Sequence, residues 1–103
     1  MLNATFSALA DPTRRAIIGL LAEDELSVGE VVENFGLTQS AISRHLDVLE
    51  NAQLIERRRV GQRRLCTLSA EPLQELSEWL EGYRRFWTGS LQRLDKTLAR
   101  KRP

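Results

Sequence analysis

The sequence predicts a mainly α fold with one small β-hairpin, in a single domain over residues 1–103. Three observations carry that prediction. Apolar residues recur at steps of three and four through most of the chain, the spacing of one helix face. Residues 54–68 break the rhythm with two strand-like runs about Gly61-Gln62. The third is length: 103 residues lie near the lower end of what buries a sufficient core alone.

The elements follow in order. Leu2, Phe6 and Leu9 mark a short N-terminal helix. Asp11-Pro12 starts the next, Asp11 as cap and Pro12 in the first turn, with Ala16, Ile17, Leu20 and Leu21 at helical spacing. Ser27 caps a third helix and Glu30 completes a capping box. That helix buries Val28, Val31 and Val32 and ends at Phe35-Gly36-Leu37, where Gly36 supplies a left-handed turn. Thr38 then caps a helix running to about Asn51, so residues 27–51 form a helix-turn-helix. Leu54 to Val60 and Arg63 to Leu68 pair as a hairpin. Ser69 or Ala70 opens the last helix.

From Leu73 the large apolar residues are Leu73, Leu76, Leu80, Tyr83, Trp87, Leu91, Leu94 and Leu98, one continuous seam. A helix of about 30 residues would be ~45 Å long, too long for this small core to cover. The expectation is a homodimer through residues 1–10 and 70–101, with Leu2, Phe6, Leu76, Leu80, Tyr83, Trp87, Leu91 and Leu94 at the interface.

Composition excludes several function classes. No apolar run approaches the roughly 18 residues of a membrane span, and the N-terminus lacks a signal-peptide pattern. The single cysteine, Cys66, builds neither an internal disulfide nor a zinc site by itself. The chain reads as cytoplasmic. Its formal net charge is only +1, but the charge is unevenly placed. Residues 1–53 carry three basic and eight acidic side chains, a balance of −5; residues 54–103 carry twelve and six, a balance of +6. Five of the basic groups are arginines between Arg57 and Arg64. Such a cluster suits a polyanion.

In "TQSAISRHLDVLEN" a helical wheel sets Ile42, Leu46 and Leu49 within about 40° of one another, facing the core. Ser40, Ser43, Arg44 and Asp47 point the other way, with Gln39 between the faces near the N-terminus. Arginine can bond two guanine acceptors, and Ser and Gln reach base edges or phosphates. Asp47 works against that use, since a carboxylate repels phosphate. His45 flanks the core face without a second ligand nearby and reads as a packed residue. Cys66 reads as a structural cysteine of the second hairpin strand, with a thiol switch as the alternative.

A helix-turn-helix followed at once by a basic hairpin is the winged-helix arrangement. With "FSALADPTRRAIIGLLAEDELSVGEV", "LTQSAISRHLDVLENAQLIERRRVGQRRLCTLS" and "LSEWLEGYRRFWTGSLQRL", the chain resembles the ArsR family of bacterial repressors over nearly its whole length. The resemblance implies that the helix over residues 38–51 lies in the major groove of double-stranded DNA. It implies too that the hairpin, residues 54–68, is a wing touching the backbone or minor groove, and that the terminal helices form a homodimer. The candidate DNA contacts are Thr38, Gln39, Ser40, Ser43 and Arg44 on the helix, and Arg59, Gln62 and Arg63 near the wing tip. Strand alternation sends Arg57 and Arg59 to the face opposite Arg58, so not all five arginines meet DNA together.

The chain departs from the family at its metal sites. The helix that carries a Cys-X-Cys stretch in thiolate-metal members reads "SVGEVV" here, and the last helix has no histidine. The expectation is therefore a metal-independent repressor with no cofactor. Two rivals stand beside it: a winged helix that binds protein through its aromatic tail, and a repressor released by an organic ligand held among Trp79, Tyr83, Phe86 and Trp87. No nucleophile has a base partner in a recognisable motif, and no phosphate-binding glycine loop is present, so an enzyme is not expected.

Overall fold

The computed structural model describes residues 2–86, 88–89 and 93–94. Trp87, Leu91 and Leu98 of the expected seam lie outside the described residues. Among the described residues five helices and three short strands follow one another: α1 (Leu2–Leu9), α2 (Pro12–Glu23), β1 (Leu26–Ser27), α3 (Val28–Glu33), α4 (Gln39–Asn51), β2 (Ile55–Val60), β3 (Arg63–Leu68) and α5 (Ala70–Glu81). The fold is mainly helical, as expected, but the hairpin belongs to a three-stranded antiparallel sheet in the order β1-β3-β2. β1 is not legible in the sequence because two residues are too few to show alternation. It exists because Leu26 and Ser27 pair with Cys66 and Leu65 of β3.

Local signals set the helix starts. The Asp11 carboxylate accepts from the N–H groups of Thr13 and Arg14 at 2.8 and 3.1 Å. Ser27 and Glu30 form the full capping box, each side chain taking the other's backbone N–H at 3.1 Å. Thr38 Oγ1 accepts from Ala41 N–H at 3.1 Å. Replacing Ser27 with alanine leaves the Glu30 N–H without its cap, and we expect a loss of about 1 kcal/mol of stability, read as a lower urea midpoint at unchanged slope.

The helix ends depart from expectation. Gly36 does not supply a left-handed turn: Asn34 ends α3 in right-handed geometry, and Gly61 is the one glycine with positive φ among the described residues. The turn of residues 34–38 closes instead on bonds from the Asn34 and Phe35 N–H groups to the Val31 and Val32 carbonyls. At the end of α4, Gln53 takes φ 62°. The Gln53 N–H bonds the Glu50 carbonyl and the Leu54 N–H bonds the Leu49 carbonyl, both at 2.9 Å, which is a Schellman cap with glutamine where glycine is usual. Leu49 and Leu54 are both buried, supplying the apolar contact that accompanies this cap. α5 is likewise shorter than its apolar spacing suggests. It stops at Glu81, Gly82 and Tyr83 form a turn, and helical backbone resumes at residues 84–86. Glycine is the weakest helix former after proline, and the Tyr83 N–H bonds the Leu80 carbonyl in a tighter i−3 closure.

One core joins the elements: Ile17 and Leu21 of α2, Val31 of α3, Ile42, Leu46 and Leu49 of α4, and Leu54, Ile55 and Cys66 at the sheet. Val28 and Val32 are half-buried against it, while Ala16 is exposed. The buried face of α1 is Thr5 and Ala8, so Phe6 points outward. Arg14 and Arg15 explain the "ADPTRR" stretch. Arg14 donates to the Ala8 and Ser7 carbonyls at 2.6 and 3.3 Å, and Arg15 to the Leu9 carbonyl at 2.7 Å, so both cations cap the C-terminus of α1.

Candidate nucleic-acid interface

Helix α4 leaves its N-terminal polar face to solvent because its apolar face is fully used. Ile42, Leu46 and Leu49 are buried, whereas Thr38, Gln39, Ser40 and Arg44 are exposed. Ser43 is half-buried, less open than its place on the wheel suggests. Arg44 makes no ion pair among the described residues, so its guanidinium is available to a partner.

The wing stands beside α4, and its register decides which arginines share that side. β2 and β3 pair Arg57 with Cys66, Arg59 with Arg64, Arg58 with Leu65 and Val60 with Arg63. Cross-strand partners share a face, and Cys66 is buried toward the core. Arg57, Arg59 and Arg64 are therefore on the core-side face, and together with Gln62 they line one hollow. Arg58 and Arg63 occupy the opposite face, where Arg58 lies 3.8 Å from Glu25 and Arg63 bonds Glu30.

The expected wing residues thus divide between the two faces. Arg59 and Gln62 sit together, but Arg63 is turned away onto a carboxylate, and Arg64 takes the place beside Arg59. Proximity to the tip favours Arg63. The parity of Arg64 with buried Cys66 is the sequence signal that separates the two.

Arg57 is engaged differently again. Its Nη2 donates to Asp47 at 2.6 Å and to Glu50 at 2.9 Å, and its Nε donates to Glu50 at 3.2 Å. These bonds hold the Glu50 carboxyl below the usual carboxylate range and the guanidinium still more firmly charged. Asp47, the misfit on the polar face of α4, is thereby paired within the protein.

Glu30 is the matching anchor on the other side. The Ser27 backbone N–H, then its hydroxyl, then Arg63 hold the Glu30 carboxyl below its ordinary value. A depressed folded value means the contribution to stability is complete above the ordinary Glu range, about pH 4.3, and is lost as pH falls through the folded value. Acidification below about pH 4 should therefore destabilise the wild type more than Glu30→Gln, as read from urea unfolding across a pH series.

His45 sits at the α2–α4 junction. Its Nδ1 lies 3.3 Å from Arg14 Nη1 and 4.0 Å from Asp11. Arginine can only donate, so Nδ1 accepts there, a packed role rather than a free one. Burial pushes the Cys66 thiol up, against the reactive thiolate form. Among the described residues no three His, Cys, Asp or Glu side chains gather in a group able to hold a metal ion.

The expected dimer residues divide as the fold divides. Leu2 and Leu76 are half-buried, while Phe6, Leu80, Tyr83 and Leu94 are exposed. Trp79, which the sequence places in an aromatic stripe suited to a ligand pocket or to a dimer core, joins α1 and α5: its ring lies 5.4 Å from Phe6, edge-on, and 5.0 Å from Tyr83. Phe6 and Trp79 each keep 43% of their surface exposed.

Comparison with known proteins decides the family. The sequence profile of bacterial regulatory proteins of the arsR family matches residues 11–57, from the cap of α2 into the wing. The transcriptional repressor SdpR of Bacillus subtilis is 35% identical over 79 residues, covering 77% of this chain and 88% of the relative. The chain belongs to the ArsR family. Another relative, the HTH-type transcriptional regulator Rv2034 of Mycobacterium tuberculosis, is 42% identical over 89 residues, 86% of this chain and 80% of that protein. The crystal structure of an ArsR family transcriptional regulator, RHA00566, superposes with a TM-score of 0.77 at 33% identity, over 84% of this chain and 96% of that one. This ArsR-family protein is thus a DNA-binding transcriptional regulator and not an enzyme. No helix among its described residues is long and apolar enough to cross a membrane.

Proposed function

We propose that this chain is a homodimeric repressor that binds a palindromic operator without a metal effector. The observation that carries the reading is the juxtaposition of two surfaces. The exposed N-terminal face of α4, with Gln39, Ser40 and Arg44, belongs to the helix that the wing meets through Arg57, and the wing face that carries Arg57 also carries Arg59, Gln62 and Arg64. In this reading α4 enters the major groove, Arg44 reads a base edge, Thr38, Ser40 and Ser43 reach phosphate or base edges near the helix N-terminus, and the wing arginines hold phosphate. Twofold symmetry then sets two recognition helices about one DNA turn (~34 Å) apart. The dimer is supported by the exposed aromatic surface of Phe6, Trp79 and Tyr83 across α1 and α5.

Metal independence is supported by the residues of α3, "VGEVVE", and by a last helix without histidine. Titrating a protein–DNA complex with zinc, cadmium or arsenite under reducing conditions should leave affinity unchanged. Stoichiometric release by any one of them would overturn that part of the reading.

The test of the whole is binding to a duplex from the chain's own promoter region and to a scrambled duplex across a salt series. The promoter duplex should bind more tightly, and affinity should fall steeply with log salt, by about 0.9 per phosphate neutralised. Equal, salt-insensitive binding to both duplexes would instead favour the protein-interaction reading.

A further inference from the structure

We infer that Arg57, at the root of the basic wing, is a positioning residue that fixes the wing against the recognition helix. The inference rests on the reading that α4 and the wing bind DNA together, and it assigns Arg57 a part in that binding without touching DNA.

Three features point the same way. The Arg57 side chain is only 8% exposed, while Arg58 and Arg63 are 64% and 62% exposed. Its fork is filled by two carboxylates of one helix: Asp47 and Glu50 stand three residues apart on α4, on neighbouring positions of one face. Both partners belong to the helix proposed to enter the groove, and Arg57 belongs to the first wing strand. The bridge therefore spans the two DNA-reading elements directly. A planar guanidinium with donors in a fixed fork sets direction as well as distance, which a lysine ammonium does not.

The bridge also reduces the negative charge on a DNA-facing surface. Asp47 and Glu50 face a polyanion in the complex, and unpaired they would repel it. Arg57 pairs with both and offsets one of their two charges, and Arg59 and Arg64, which make no ion pair among the described residues, remain for phosphate. Arg64 lies across from Arg59 on the face that carries Arg57, where its charge adds slightly to lowering the Glu50 carboxyl.

Electrostatics alone predicts that removing two negative charges from this surface tightens DNA binding. The positioning role predicts the reverse, and Asp47→Asn with Glu50→Gln separates them. The double variant and Arg57→Met should each bind the promoter duplex about three- to thirty-fold more weakly, the range of coupling between neighbouring residues. The log-salt slope should be unchanged, because the phosphates neutralised are the same. Arg57→Lys should recover only part of the affinity. Nitrogen-15 relaxation of the free protein gives a readout that needs no DNA: amides 59–64 should lose order in Arg57→Met and in the double variant, with far-UV circular dichroism unchanged. Tighter binding by the double variant with a steeper slope overturns the inference. So does a wing as ordered in both variants as in the wild type. If the wild type binds neither duplex, the DNA reading fails, and the wing relaxation still decides whether Arg57 holds the wing.

Discussion

Arg44→Ala should weaken binding to the operator by about 1–3 kcal/mol per half-site and relax discrimination at one base pair in each. In a symmetric dimer the two effects act together, so the change is large for a single surface substitution. The reason lies in the packing of α4. With Ile42, Leu46 and Leu49 committed to the core, Arg44 is the one arginine on the exposed face of that helix, and it makes no ion pair among the described residues. Arg64→Ala should behave differently, although it too removes one positive charge. Arg64 lies across from Arg59 on the wing, so its removal should weaken promoter and scrambled duplexes about equally and lower the log-salt slope by about one unit for each phosphate no longer neutralised. Arg63→Ala should do less than either, because Arg63 is paired with Glu30 on the opposite face. Binding of the three variants to both duplexes across salt checks the assignment. If Arg63→Ala changes the slope and Arg64→Ala does not, the wing meets DNA by its other face.

The second large effect concerns assembly. Trp79→Glu should give a folded monomer whose operator affinity falls by about 10³-fold or more, toward non-specific binding. Trp79 touches Phe6 of α1 and Tyr83 beyond α5 yet remains 43% exposed, so it joins the terminal helices and stands on the surface proposed to meet a second copy. A carboxylate there would be driven against apolar groups of the partner without a counter-charge. Within one protomer it stays half in water, so the fold should survive, as near-native circular dichroism would show. Sedimentation velocity is the measurement. A wild-type protein that sediments as a folded monomer at tens of micromolar would refute the dimer, and a dimeric Trp79→Glu would move the interface elsewhere.

What the sequence by itself determined were the features whose causes are local. Asp11, Ser27 and Thr38 start their helices because a side-chain oxygen reaches an N–H two or three residues on, whatever the rest of the chain does. The apolar face of α4 and the hairpin about Gly61 are likewise written in spacing of 3.6 and 2. Those features suffice for the family and for the open face of the recognition helix. The tertiary structure decided what depends on partners distant in the chain. β1 exists only because Cys66 and Leu65 lie beside it. Gly36 needs no left-handed turn because the Asn34 and Phe35 N–H groups already close the end of α3, and Gln53 takes one because the backbone bonds to Glu50 and Leu49 and the burial of Leu54 outweigh a residue's own preference. The seam after Leu73 is interrupted at Gly82, where apolar spacing continues but the helix does not. Among the five wing arginines charge is identical and only the register differs. A pleat sends neighbours to opposite faces, so Arg63 meets Glu30, Arg64 stands by Arg59, and Arg57 is bound by two acids from a helix that precedes it in the chain.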